Sequence, residues 1–179
     1  MGVNSIATLW GFAEATLFFI VPDVWLTAIA VWSPRKALIA CLFALFGALA
    51  GGALMYGWGA VEPTTALATL DRIPAINAEM LATVASEIRE RGLLAPFVGP
   101  IRGVPYKIYA VQAPAQEIGV GAFLLISIPA RLSRFVLLTF VTRILFSKFL
   151  VTWMPRRQLF LLGCCWVTFY TTYFLAMPD

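Results

Sequence analysis

Six charged side chains set in or beside apolar sequence are the residues of this chain that could do chemistry: Glu14, Asp23, Arg102, Lys107, Arg131 and Arg134. Glu14 and Asp23 lie in the run WGFAEATLFFIVPDVW, residues 10–25, which is otherwise aromatic and aliphatic. A carboxylate at the centre of a bilayer costs about 2.5–3.5 kcal/mol on insertion scales, so two acids here need a protein-lined cavity or basic partners. Ser127, Arg131 and Arg134 are spaced i, i+4 and i+7, which puts them on one helical face. Two arginines in mid-helix cannot both snorkel to water, so that face must meet a cavity or carboxylates. A guanidinium also donates paired hydrogen bonds in the plane of two phosphate oxygens and stays charged in apolar surroundings. A carboxylate beside it can exchange a proton when an anionic ligand displaces it.

Much other chemistry is excluded. The 179 residues contain no histidine, which removes Ser-His and Cys-His catalysis, phosphohistidine intermediates and most zinc sites. Cys41, Cys164 and Cys165 lie inside apolar runs without metal or redox spacing and are read as buried packing residues. Ser127 and Ser133 have no catalytic spacing to an acid or base. The expectation is a protein that is not an enzyme and carries no metal or cofactor.

The positioning elements follow from composition. Hydrophobic residues make up 61%, charged residues 12%, and mean hydropathy is +0.87; a soluble domain carries about 25% charged residues. This is an integral membrane protein with one domain spanning residues 1–179. The first apolar run has no Lys/Arg-led leader or small-residue cleavage site and contains Glu14, so it is read as mature structure.

Residues 5–33 are divided by Glu14, the Pro22-Asp23 pair and Pro34 into pieces too short to span. They are expected to form a re-entrant hairpin, the alternative being a tilted, proline-kinked span. Residues 37–61 carry no charge and predict a spanning helix, whose Gly47-x-x-x-Gly51 face admits a close neighbour. The same face could serve homo-oligomerisation, though packing against the hairpin needs no second copy. Residues 62–92 are polar and extramembrane, with an amphipathic helix starting after Asn77 and presenting Met80 or Leu81, Val84 and Ile88. In residues 93–116, Pro96, Pro100, Gly103 and Pro105 forbid a continuous helix, which predicts a second re-entrant hairpin carrying Arg102 and Lys107. Residues 120–142 predict a span interrupted near Pro129, the alternative being a helix that starts only near Arg134. Residues 158–177 predict a final span.

Arg35, Lys36, Arg143, Lys148, Arg156 and Arg157 fall on one side of this arrangement, with no acid among them. By the positive-inside rule that side is cytoplasmic and residues 62–92 are outside. Topology accounts for these few basic residues, so nucleic acid is not an expected partner. Two broken hairpins dipping from opposite faces, each followed by a span, make the inverted-repeat plan of secondary transporters, with a site near the midplane.

With these features in place, the chain resembles the DedA or VTT-domain (SNARE-associated-like) membrane proteins, closest to their short YqaA-like branch. The resemblance is carried by Phe12-Ala13-Glu14, Pro22-Asp23, Gly47, Gly51, Gly52, Tyr56 and Gly59, then Pro105-Tyr106-Lys107 and the Arg131/Arg134 pair, over residues 5–145. It implies a bacterial inner-membrane translocase of a phosphate-bearing lipid, such as a polyprenyl phosphate or a phospholipid. Glu14 and Asp23 would be the essential, proton-coupling acids. Arg102, Lys107, Arg131 and Arg134 would bind the anionic headgroup. Within this scheme Glu14 is expected to exchange the proton and Asp23 to pair with a basic residue of the second hairpin. Two positions depart from the family pattern and bear on the ligand: Pro100 stands where an arginine is usual, and Gly51-Gly52 where Gly-Asp is frequent. Two other readings stay open, a secondary transporter of a small ion or solute, and a non-transporting structural protein whose embedded charges neutralise one another.

Overall fold

The computed structural model describes residues 2–149 and 154–176. Among these every regular element is helical. Three helices are long and apolar enough to cross a membrane: α3 (Pro34–Val61), α8 (Val120–Phe149) and α9 (Pro155–Ala176). Leu42, Phe46, Leu125, Leu137, Phe160 and Val167 stand exposed along them, as expected of helices whose solvent is lipid. The chain is membrane-embedded.

The first charged run forms α1 (Val3–Ala15) and α2 (Asp23–Trp32), separated by a non-helical break that contains Val21 and Pro22. α1 lies alongside α3 and runs the same way: Gly2 to Ser5 adjoin Lys36 and Ile39 at one end, and Ala15 adjoins Gly51 at the other. α2 must therefore bring the chain back, which is why the break falls where proline removes a backbone donor. Trp10 fixes the turn by donating its indole N–H to the Ile20 carbonyl at 2.9 Å.

α3 is the beam on which the rest is laid. It starts earlier than residue 37, because Ser33 caps it, accepting the Lys36 N–H at 3.4 Å, and Pro34 fits its first turn. A Cβ on Gly47 would fall on the Thr8 carbonyl, and one on Gly11 would fall on the Ala44 carbonyl. The small-residue face of α3 is thus filled by α1 within the chain. Further along, Gly59 takes the backbone of α7 (Tyr106–Gln112) at Val111, and Gly52 takes the Tyr106 ring.

The polar section contains two helices, not one. α4 (Pro63–Leu70) opens with Pro63 and buries Ala66 and Leu70. α5 (Ala78–Arg91) starts as expected, with Asn77 accepting the Met80 N–H at 2.9 Å, and buries Val84 and Ile88 against the protein. Residues 92–105 are a series of single turns, including α6 (Ala95–Val98), and end in Gly103 at φ +93°, a left-handed position suited to glycine. Helix resumes only after Pro105, as α7.

α8 is continuous from Val120 to Phe149. It neither stops at Pro129 nor starts late near Arg134. Pro129 faces outward and deprives only the exposed Leu125 carbonyl of its partner, so the helix tolerates it. The expected last span ends at Met177, which lies outside the described residues; α9 is helical from Pro155 to Ala176. The three cysteines divide: Cys41 is buried, whereas Cys164 and Cys165 are exposed, because α9 covers little of its own surface against the body.

Candidate functional site

Glu14 is the penultimate residue of α1, where the carbonyl end of the helix disfavours a carboxylate. Arg131, on the inner face of α8, compensates it through both guanidinium arms. One arm, Nη1, donates to Oε1 at 3.2 Å, and the other donates to Oε2. Arg131 is 1% exposed. Its guanidinium lies 4.6 Å from the Tyr106 ring centroid and 5.4 Å from that of Phe135, an arrangement that lets the rings' electron-rich faces supply part of the lost hydration. Tyr106 is itself held by donating to Ser127 Oγ at 2.8 Å and by stacking on Phe123.

Asp23 opens α2, where the free N–H groups favour an acid, and is 0% exposed. Arg134, one helical turn beyond Arg131, donates to Asp23 Oδ2 from Nε at 3.1 Å and also from Nη2. Both bonds go to the same oxygen. Asp23 Oδ1 is buried and accepts no hydrogen bond from the described residues. Asp23 thus pairs with α8, and the expected partner from the second broken segment goes elsewhere: Lys107 donates to the Phe18 carbonyl at 2.7 Å.

Lys107 is 2% exposed. Among the described residues no carboxylate lies within ion-pairing distance of it.

Arg102 is not brought to this group. It is 52% exposed in its side chain and pairs with Glu87 of α5 at 3.3 Å, and the other oxygen of Glu87 accepts the Tyr109 hydroxyl at 2.6 Å. Glu87 is a partly buried residue of α5, 18% exposed in its side chain, and it holds Arg102 at the edge of the protein, away from the embedded charges.

Between these groups lies a cavity of about 860 Å³. Glu14, Asp23, Lys107 and Arg134 line it together with Thr27 and Ser133; the rest of its wall is largely apolar and aromatic. Arg131 is absent from the wall. The volume falls in the upper part of the range of about 300–1,000 Å³ usual for small-molecule sites. One side of the cavity belongs to α9, a contribution that the sequence pattern did not predict. Tyr170 accepts the Val21 N–H at 2.9 Å, Trp166 donates to Thr27 Oγ1 at 3.1 Å, and Phe19 packs on Tyr170, Tyr173 and Phe174. The available signal was the recurrence of Trp166, Phe169, Tyr170 and Tyr173 at helical spacing on an uncharged helix.

No family model matches the chain, and no curated protein and no solved structure matches it.

Proposed function

We propose that this protein is a membrane translocase of a phosphate-bearing lipid, with a site at the two helix breaks and a proton-exchanging acid beside it. In this reading the α1–α2 and α6–α7 segments are re-entrant hairpins entering from opposite faces, as in DedA or VTT-domain proteins, and residues 62–92 are on the non-cytoplasmic side. The observation that carries it is the wall of the cavity: a largely apolar surface on which Lys107 has no acidic partner among the described residues and Arg134 keeps 22% of its side chain exposed. Apolar walls suit acyl or prenyl chains, and cations without a full complement of acid suit a phosphate. Arg131 supports Glu14 from behind and does not hold the headgroup itself. Arriving phosphate competes with Asp23 for Arg134, and the freed carboxylate takes up a proton. Asp23 is the acid with an oxygen to spare, so the proton-exchanging role expected of Glu14 passes to Asp23 in this proposal.

The test is translocation of a headgroup-labelled phospholipid in proteoliposomes, with and without an imposed pH gradient. Wild-type protein should exceed empty vesicles and respond to the gradient. Rates equal to empty vesicles would sink the proposal.

One observation favours a second reading, that of a structural protein with architectural ion pairs: both embedded arginines already have carboxylates. That reading predicts no lipid movement and no cost to replacing Lys107.

A further inference from the structure

The cavity reaches the surface between two spanning helices. α8 and α9 meet where Phe146 and Leu162 are buried together with Val31 of α2. Past that junction α9 leans on α2 and on the first break through Trp166 and Tyr170, and the gap between α8 and α9 belongs to the cavity. The α8 residues that line it fall between 133 and 142, and those of α9 between 162 and 173. Leu137 and Phe169 line it while remaining 61% and 51% exposed, so they stand at its mouth. The lining stretch of α8 rises about 14 Å at 1.5 Å per residue, close to half of the roughly 30 Å hydrocarbon core of a bilayer. The mouth is thus apolar, as long as one leaflet is deep, and set on helices whose solvent is lipid.

Resting on the lipid-phosphate reading above, we propose that the cleft between α8 and α9 is a berth for a hydrocarbon chain of the bound lipid, open sideways to the bilayer, with the lipid's phosphate inside at Lys107 and Arg134. Charge places the two ends of the ligand. Lys107 is 2% exposed, has no acidic partner among the described residues and lines the same cavity as Leu137 and Phe169. An anionic head on the inner cations and an apolar tail in the outer cleft match this polarity. A water-soluble phosphate would satisfy the cations and leave the cleft unused.

The test is photo-labelling of the full chain in phosphatidylcholine proteoliposomes by a phosphatidylglycerol that carries a diazirine in one acyl chain, with adducts mapped by mass spectrometry. Two neighbours serve as references for bulk lipid: Phe140, also 61% exposed and less than a turn from Leu137, and Val167, 67% exposed and two residues from Phe169. Neither lines the cavity. Adducts at Leu137 and Phe169 should exceed those at Phe140 and Val167 severalfold. In Lys107→Gln that excess should vanish while the reference positions label as before. Equal labelling of the two sets in wild-type protein would overturn the proposal, as would protection of Leu137 and Phe169, the pattern of a second copy seated in the cleft. Both outcomes are read without any variant. An excess undiminished in Lys107→Gln would also overturn it, by placing the phosphate elsewhere. Lipid movement measured on the same vesicles separates the two ideas: movement above empty vesicles without an excess at the cleft strikes the cleft alone, and no movement refutes the translocase reading beneath it.

Discussion

Glu14 and Arg131 make the most deeply buried charge pair among the described residues, and their removal separates burial from function. Glu14→Gln leaves a guanidinium uncompensated, and breaking a buried pair from one side costs about 3–5 kcal/mol. The double replacement Glu14→Gln/Arg131→Gln should return at least about half of that loss, because no charge is then left unpaired. Thermal unfolding in detergent checks both; a double variant as unstable as the sum of the singles would contradict the pairing. Asp23→Asn should be milder, because Arg134 reaches the cavity and retains exposure. Most of this site was legible in the sequence, since acids inside apolar runs and an i, i+3 arginine pair demand one another. The pairing pattern was not. Arg102 stood in the expected broken segment, but Glu87 faces it from α5, and the approach of α5 to residues 99–102 depends on how the polar section folds back.

At the scale of elements, the site depends on α1 lying against α3 through backbone contact. Gly47→Val places side-chain atoms on the Thr8 carbonyl and the Phe12 amide, and overpacking of this kind costs about 1–3 kcal/mol or more. At Gly57 on the same helix an added methyl would meet nothing within 4 Å, so Gly57→Ala should be neutral or stabilise by about 0.5–1 kcal/mol. Circular dichroism melts of the two variants decide the point, and equal losses would refute the close contact. The helix breaks at Pro22 and at Pro100 to Pro105 could be read from residue type alone, as could the cap at Asn77. α4 could not, because the eight residues from Pro63 to Leu70 carry too little periodicity to separate a short helix from a loop. The length of α8 was also under-read: Pro129 looks like an interruption until its outward placement shows that the lost hydrogen bond falls on an exposed turn.

For the whole molecule, three long apolar helices were evident from uncharged length, but the contribution of α9 to the cavity was not, because an aromatic stripe reads equally as lipid-facing surface. α9 touches the body chiefly through α2 and the residues of the first break, by way of Trp166, Tyr170 and Phe19, and these contacts hold the residues of α9 that line the cavity. Replacing Tyr170 with Phe removes the acceptor of the Val21 N–H while keeping the ring; translocation should fall severalfold if the break must be held, since one lost hydrogen bond costs about 0.5–1.5 kcal/mol. An unchanged rate would assign Tyr170 to packing alone. The central claim is that Lys107 and the cavity it faces move a lipid phosphate, and the most direct measurement compares initial rates of phospholipid translocation in matched proteoliposomes of wild-type protein and Lys107→Gln. Wild-type protein should run clearly above empty vesicles, and the variant should fall about tenfold or more at unchanged thermal stability. A wild-type rate no greater than that of empty vesicles, or a Lys107→Gln variant as fast as wild type, would contradict the claim.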